Sequence, residues 1–382
     1  MKFLLIPDSF KGTLTSEQIC GLLRESISAY FPEAGTVSIP VADGGEGSVD
    51  AFLTALGGEK RYVTVKNPFF EDMEAYYGLI DNGETAVIEM AACAGLPLAE
   101  GRRNPCVTTT YGVGQLLTDA AGKGVKRIIV GLGGSATNDA GCGAAAAAGA
   151  RFLNAKGEPF VPTGGSLCEV ADIDLSGMDP ALQGVEIITM CDIDNPMYGP
   201  NGAAYIFAPQ KGADPHMVAE LDAGLRHLAA LLADKLGADY PDTPGAGAAG
   251  AMGMGMLAFF RSRLQMGIQT VLDVVKFEEL AADCDYILTG EGKLDSQSLR
   301  GKVVIGVAQR SKAMGKDVIA IVGGADDDEI SEAYEQGVTA VFPINRLPQD
   351  FSVSRYRSED NLRYTADNIM RLLAAEQRRK PK

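Results

Sequence analysis

The chain has 382 residues, 46% of them hydrophobic, a length that suits two α/β cores better than one. Fifty Asp and Glu oppose 34 Lys and Arg for a formal net charge of -16, and that field excludes nucleic acid and anionic membrane surfaces as natural partners. An anionic ligand must therefore be held locally, by backbone N–H groups, a few cations or a divalent metal.

Residues 3–6 form a short apolar run closed by Pro7, the pattern of a buried parallel strand and too short for a signal peptide or membrane span. Thr15 and Gln18 make a capping box, and Ile19, Leu22, Leu23 and Ile27 then recur at helical spacing. Residues 37–41 read as a second strand, residues 42–47 as a loop and residues 49–56 as a second helix, so two successive βα units predict a doubly wound parallel sheet. Residues 73–80 and 85–90 flank Asp81-Asn82-Gly83, a hairpin signal that marks a change of architecture. A helix over residues 111–121, a strand over 127–130, a Gly-rich loop and an Ala-rich helix near 141–149 follow. Beyond them come a strand at 185–190, a long helix at 217–236 and a Gly/Ala/Met-rich stretch at 244–256 that reads as a tightly packed wall. Strands at 286–288, 318–322 and 340–344, with a helix at 303–314, restore the βα pattern. The fold class is therefore α/β with two domains: residues 1–70 and 285–382 build a parallel-sheet domain from both chain ends, and residues 71–284 form a second, mixed α/β domain inserted into it.

Seven single cysteines, with no CxxC pair, argue against a disulfide framework or a zinc site and read as buried thiols in a reducing cytoplasm. The only histidines, His216 and His227, lie in a polar helical stretch and read as surface residues. The chain has neither G-x-x-x-x-G-K-[ST] nor protein-kinase motifs. Its best phosphate candidate is the segment 131–141, where Gly133 and Gly134 let backbone approach an anion, Ser135, Thr137 and Asn138 add donors, and a helix N-terminus follows. Gly131, Gly133 and Ala136 also satisfy G-x-G-x-x-A, which opens an alternative as an NAD-linked small-acid oxidoreductase. The acidic residue that this alternative needs on the next strand is missing, because Phe152-Leu153 runs into the turn Asn154-Ala155-Lys156-Gly157.

Two loops at the ends of the first two strands hold Asp8, Ser9 and Lys11, then Asp43, Gly44, Gly45 and Glu46, where an open parallel sheet places its ligand. Lys11 can neutralise an anion, and Asp43 can serve as a base or hold a metal; Ser9 equally suits a turn, and Glu46 a helix start. Asp192 and Asp194 leave a strand end on one face of extended chain, a pair suited to Mg²⁺. Gln210 and Lys211 offer polar reach into a cleft, though a single exposed Lys is ordinarily surface. The loop 289–302 carries Glu291, Lys293, Asp295, Gln297, Ser298, Arg300 and Lys302, a polar density that packing does not explain. Asp295 is the first choice for a general base and Asp192 its competitor.

The segments PDSFKGTLTS, PVADGGEGSVDAF, GLGGSATNDAG, CDIDNP, APQKGA, GAAGAMG and LTGEGKLDSQSLRGK together resemble the bacterial glycerate kinases of sugar-acid catabolism, in order and spacing over nearly the whole chain. The resemblance implies an ATP- and Mg²⁺-dependent enzyme with a Rossmann-like domain assembled from both chain ends, phosphorylating D-glycerate to 2-phosphoglycerate. On this reading Asp295, Asp192 and Lys11 are catalytic; Asp8, Ser9, Asp43, Gly44, Gly45 and Lys293 bind substrate; Gly133, Gly134, Ser135, Thr137 and Asn138 bind ATP; and Asp192 and Asp194 hold the metal. Its partners are glycerate and ATP, in the cytoplasm, with no nucleic acid or membrane and with a homodimer left open. Ala140, Ser48 and Ala251-Met252 depart from the family's usual Gly, Thr and Gly-Gly, changes that bear on substrate fit more than on reaction type. A non-catalytic sugar-acid-binding protein is the third reading, but it has no need of carboxylates near an anion.

Overall fold

The computed structural model of the chain describes residues 1–41, 44–347 and 349–379. In chain order its strands are β1 (Lys2–Pro7), β2 (Gly35–Ser38), β3 (Glu59–Lys66), β4 (Asp72–Ile80), β5 (Thr85–Glu89), β6 (Arg127–Gly131) and β7 (Arg151–Leu153). They continue with β8 (Pro159–Phe160), β9 (Asp172–Asp174), β10 (Glu186–Met190), β11 (Arg263–Gln265), β12 (Tyr286–Glu291), β13 (Val318–Val322) and β14 (Ala340–Pro343). Two compact units result, one from residues 1–42 and 268–382, the other from residues 43–267.

The first unit is a parallel sheet in the order β14-β13-β12-β1-β2. Its N-terminal helix, Ser16–Tyr30, starts at a complete Thr15/Gln18 capping box and turns Ile19, Leu23 and Ile27 onto the sheet. There they join Phe3, Leu5, Leu288 and Ile321 and, from the last helix (Ser358–Gln377), Ile369 and Met370 in one buried core. From β1 the chain moves outward to β2, whereas β12, β13 and β14 step outward on the other side. The neighbouring carboxyl ends of β1 and β12 are thus a topological switch point, the place where such sheets bind ligands. Pro7 faces Gly290 in register there, and the Asp8 N–H donates to the Gly290 carbonyl at 2.8 Å.

The second unit carries a six-stranded sheet, β11-β10-β6-β5-β4-β3, and a small sheet, β8-β7-β9. β3, β4 and β5 are antiparallel, β4 and β5 being joined at Asp81-Asn82-Gly83 as the hairpin signal predicts, and β5, β6, β10 and β11 run parallel. The units change over at 42/43 and 267/268, whereas composition and pattern place the changes at 70/71 and 284/285. The reason lies in packing. The helix Ser48–Leu56 packs on β4 and β5, and Glu89 at the end of β5 accepts the Val49 N–H at 2.5 Å, so this helix belongs to the second sheet and is not a second βα unit of the first.

Five of the cysteines are buried as expected, but Cys106 is half-buried and Cys168 exposed; all seven are free thiols. Among the described residues no helix is long and apolar enough to cross a membrane.

Candidate active site

In the second unit, β6 delivers the Gly-rich loop. A Cβ on Gly131 would fall 2.2 Å from the Gly44 carbonyl oxygen, and one on Gly133 would fall 2.5 Å from the Gly45 Cα, so these glycines exist to let two loops touch. Gly134 adopts φ +75, a left-handed conformation that favours glycine. The Gly133 N–H donates to the Gly44 carbonyl and the Ala136 N–H to the Ala94 carbonyl, which fixes the loop at both ends.

The helix that follows, Cys142–Ala147, does not serve as the anion site that its position suggests. Buried Asp139 occupies its start: its carboxylate accepts from the N–H groups of Thr110, Gly141 and Gly143 and from the Thr110 hydroxyl. Burial pushes the Asp139 carboxyl up, and those donors pull it back. The Ala144 N–H is taken by the Thr110 hydroxyl. The loop's capacity for an anion therefore rests on side chains. Thr137 and Asn138 are fully buried, and Thr137 Oγ1, Asn138 Nδ2 and Asn138 Oδ1 have no hydrogen-bond partner among the described residues.

Beside them lies Lys211, for which the sequence left reach into a cleft and ordinary surface both open. Lys211 is 2% exposed, and its ammonium donates to Ser135 Oγ at 2.8 Å and to the Thr137 carbonyl at 2.6 Å. Burial pushes this amine down to about 7, with Asp139 pulling the other way. The segment APQKGA carried the signal: Pro209 starts a tight turn, Gly212 closes it at φ +97, and the lysine between them is turned inward.

Asp192 and Asp194 follow β10 as expected. Asp192 is half-buried, with Oδ1 accepting the Gly267 N–H at 2.7 Å, and Asp194 is exposed. Among the described residues no three His, Cys, Asp or Glu side chains gather into a metal cage. An acidic pair still fits Mg²⁺, which takes one or two carboxylates and completes its shell with water and phosphate oxygens. Ala140 and Ala251, two of the departures from the resembling family, adopt φ 51 and φ 66, a left-handed backbone that strains a residue with a Cβ.

In the first unit, Asp8 and Glu291 stand at the switch point, Asp8 half-buried and Glu291 6% exposed. Asp8 Oδ1 accepts the Ser9 N–H at 2.6 Å, and Lys11 is exposed on the same loop. Glu291 is a residue that sequence reasoning undervalued: Oε1 has no partner among the described residues, and burial pushes the carboxyl up to about 8, against hydrogen bonding by Ser298. Asp295 holds the following turn, with Oδ1 accepting the Gln297 and Ser298 N–H groups at 2.9 and 3.2 Å. No hydrogen bond among the described residues uses its Oδ2. Lys293 is exposed and paired with Asp326 at 2.8 Å. Asp43 lies outside the described residues.

Residues 3–374 match the Glycerate kinase family. The chain belongs to that family. It is 42% identical to a glycerate kinase of Bacillus cereus over 97% of each chain, and 42% identical to the glycerate 2-kinase of Escherichia coli over 98% of each. A crystal structure assigned to glycerate kinase 2 of Salmonella typhimurium LT2 superposes with a TM-score of 0.86 at 38% identity, covering 99% of both chains. Membership makes the chain a kinase acting on glycerate, and nothing supports the NAD-linked alternative. Its fingerprint glycines are filled by Gly44 and Gly45, and the strand after its helix, β7, joins the small antiparallel sheet instead of lying parallel beside β6.

Proposed function

We propose that the chain transfers the terminal phosphoryl group of ATP to D-glycerate in the cytoplasm, giving 2-phosphoglycerate. The observation that carries this reading is the placement of carboxylates at the carboxyl ends of parallel strands in a chain of this family: Asp8 after β1, Asp192 and Asp194 after β10, and Asp295 four residues beyond β12. The name of the Escherichia coli relative, glycerate 2-kinase, supports O2 as the acceptor.

Asp295 takes the proton of the attacking hydroxyl through Oδ2, while its turn fixes the carboxylate's orientation. Lys11 offsets charge on the substrate, and Asp8, Ser9, Asp43, Gly44, Gly45 and Lys293 position it. Gly133, Gly134, Ser135, Thr137 and Asn138 hold the phosphates, and Asp192 and Asp194 would hold Mg²⁺. The metal supplies charge neutralisation on the transferring group.

The test is release of ADP that depends on D-glycerate, followed by conversion of the product with enolase alone. Immediate conversion identifies 2-phosphoglycerate, and a requirement for phosphoglycerate mutase overturns the regiochemistry. Absence of glycerate-dependent ADP release overturns the whole reading. Asp295→Asn is expected to lower kcat by about 10² or more; near wild-type turnover removes Asp295 as the base, and the same result for Asp192→Asn removes its competitor.

A further inference from the structure

We propose that Lys211, Ser135, Thr137 and Asn138 form a buried oxyanion pocket that takes a phosphoryl group of the nucleotide, with Lys211 as its cation. This deepens the proposed function and rests on its assignment of phosphate binding to the loop at 133–138.

Three observations converge. Burying an ammonium and leaving two donors on the segment beside it, Thr137 Oγ1 and Asn138 Nδ2, unpartnered among the described residues is costly in a resting protein, and such groups persist where a ligand satisfies them. Thr137 Oγ1, Asn138 Nδ2 and Asn138 Oδ1 are three of the six buried, unpartnered polar side-chain atoms among the described residues, on two consecutive residues that are fully buried. The Lys211 ammonium lies against the same segment, donating to Ser135 Oγ and the Thr137 carbonyl. It has three N–H bonds and two acceptors among the described residues, so one donor is left over.

The donor set selects the ligand. The spare Lys211 N–H, the Ser135 and Thr137 hydroxyls and the Asn138 amide are four donors supplied by one short segment and the cation that lies against it, which suits a tetrahedral phosphoryl group carrying several anionic oxygens. The backbone at the start of the adjacent helix cannot do this work, because Asp139 and Thr110 already take its N–H groups. In a chain of net charge -16, one buried cation aimed at one loop is an economical means of holding a polyanion.

The test uses the full chain and isothermal calorimetry with inorganic pyrophosphate and with a non-hydrolysable ATP analogue, alongside thermal unfolding. Thr137→Val deletes the unpartnered hydroxyl at nearly constant shape. It is expected to unfold at or above the wild-type temperature while binding both probes about 10-fold more weakly, whereas Thr137→Ser restores binding. Lys211→Met is expected to weaken both probes by about 30-fold or more and to change glycerate affinity by less than about 2-fold. A merely structural hydroxyl would instead lower the unfolding temperature and leave binding alone. Probe binding within 2-fold of wild type in both Thr137→Val and Lys211→Met overturns the pocket while leaving the kinase reading intact. Loss of glycerate affinity in place of probe affinity also overturns it, since the pocket would then be a carboxylate site. Should Lys211→Met fail to fold, Thr137→Val and Thr137→Ser decide the matter alone.

Discussion

Glu291 is a carboxyl group with an unusual proton balance, because burial at the end of β12 raises it to about 8. In the unfolded chain it ionises near the ordinary Glu value of about 4.3. Between those limits the folded protein holds a proton that the unfolded chain has lost, so its contribution to stability is fully present below about pH 4.3 and is lost as pH rises through about 8. The stability difference between wild type and Glu291→Gln, followed by urea unfolding from pH 5 to 9, should therefore decline toward pH 8 with a slope of up to about 1.4 kcal/mol per pH unit. A difference that stays flat removes the buried proton. Glu291 was legible only as one member of a dense polar loop, in which the sequence reading preferred Asp295. Burial could not be read, since it depends on β1 lying beside β12, and those strands are separated by most of the chain. Lys211 could be read either as reach into a cleft or as surface, because residue type alone does not decide, and its burial rests on the turn between Pro209 and Gly212 together with acceptors at Ser135 and Thr137 far away in sequence.

At the scale of elements, the stretch at 244–256 shows how composition conveys packing without conveying its cause. Ala249, Gly250 and Ala251 are all left-handed, with φ of 55, 71 and 66, where the chain turns before the helix continues. A Cβ on Gly250 would fall 2.0 Å from the Thr137 carbonyl oxygen, the acceptor that holds Lys211. Gly250→Ala combines left-handed strain with overpacking and should cost about 2–4 kcal/mol in chemical denaturation while weakening binding of the ATP analogue. Gly122, at the end of the helix Tyr111–Gly122, has open space where its Cβ would go. Gly122→Ala should be neutral or gain about 0.5 kcal/mol, and equal losses in the two variants would refute the role assigned to Gly250. Local signals such as the Thr15 capping box and the Asp81-Asn82-Gly83 turn were readable because neighbours in sequence make them. The helix Ser48–Leu56 was found but given to the wrong sheet, because its partners β4 and β5 are chosen by packing that periodicity does not encode.

At the scale of the whole molecule, the acidic surplus opposes both ligands of the proposed reaction. A net charge of -16 surrounds the chain with a potential that repels glycerate and nucleotide alike, whereas the attraction that holds them comes from a few local groups. These two contributions respond differently to salt. Interactions between exposed charges fade beyond a Debye length of about 10 Å at 0.1 M, while a buried cation such as Lys211 is screened far less. Raising ionic strength with KCl from about 20 to 200 mM should therefore remove more repulsion than attraction. The expected outcome is a KM for glycerate and ATP that falls, by up to a few-fold, with kcat nearly constant. A KM that rises steeply across the same range would mean that exposed cations steer the ligands, and would shift the weight of anion binding from Lys211 to residues such as Lys11 and Lys293. Measuring the salt series again in Lys211→Met separates the contributions: the residual affinity of that variant should respond to salt in the same direction as wild type, because the long-range field is unchanged by one buried residue.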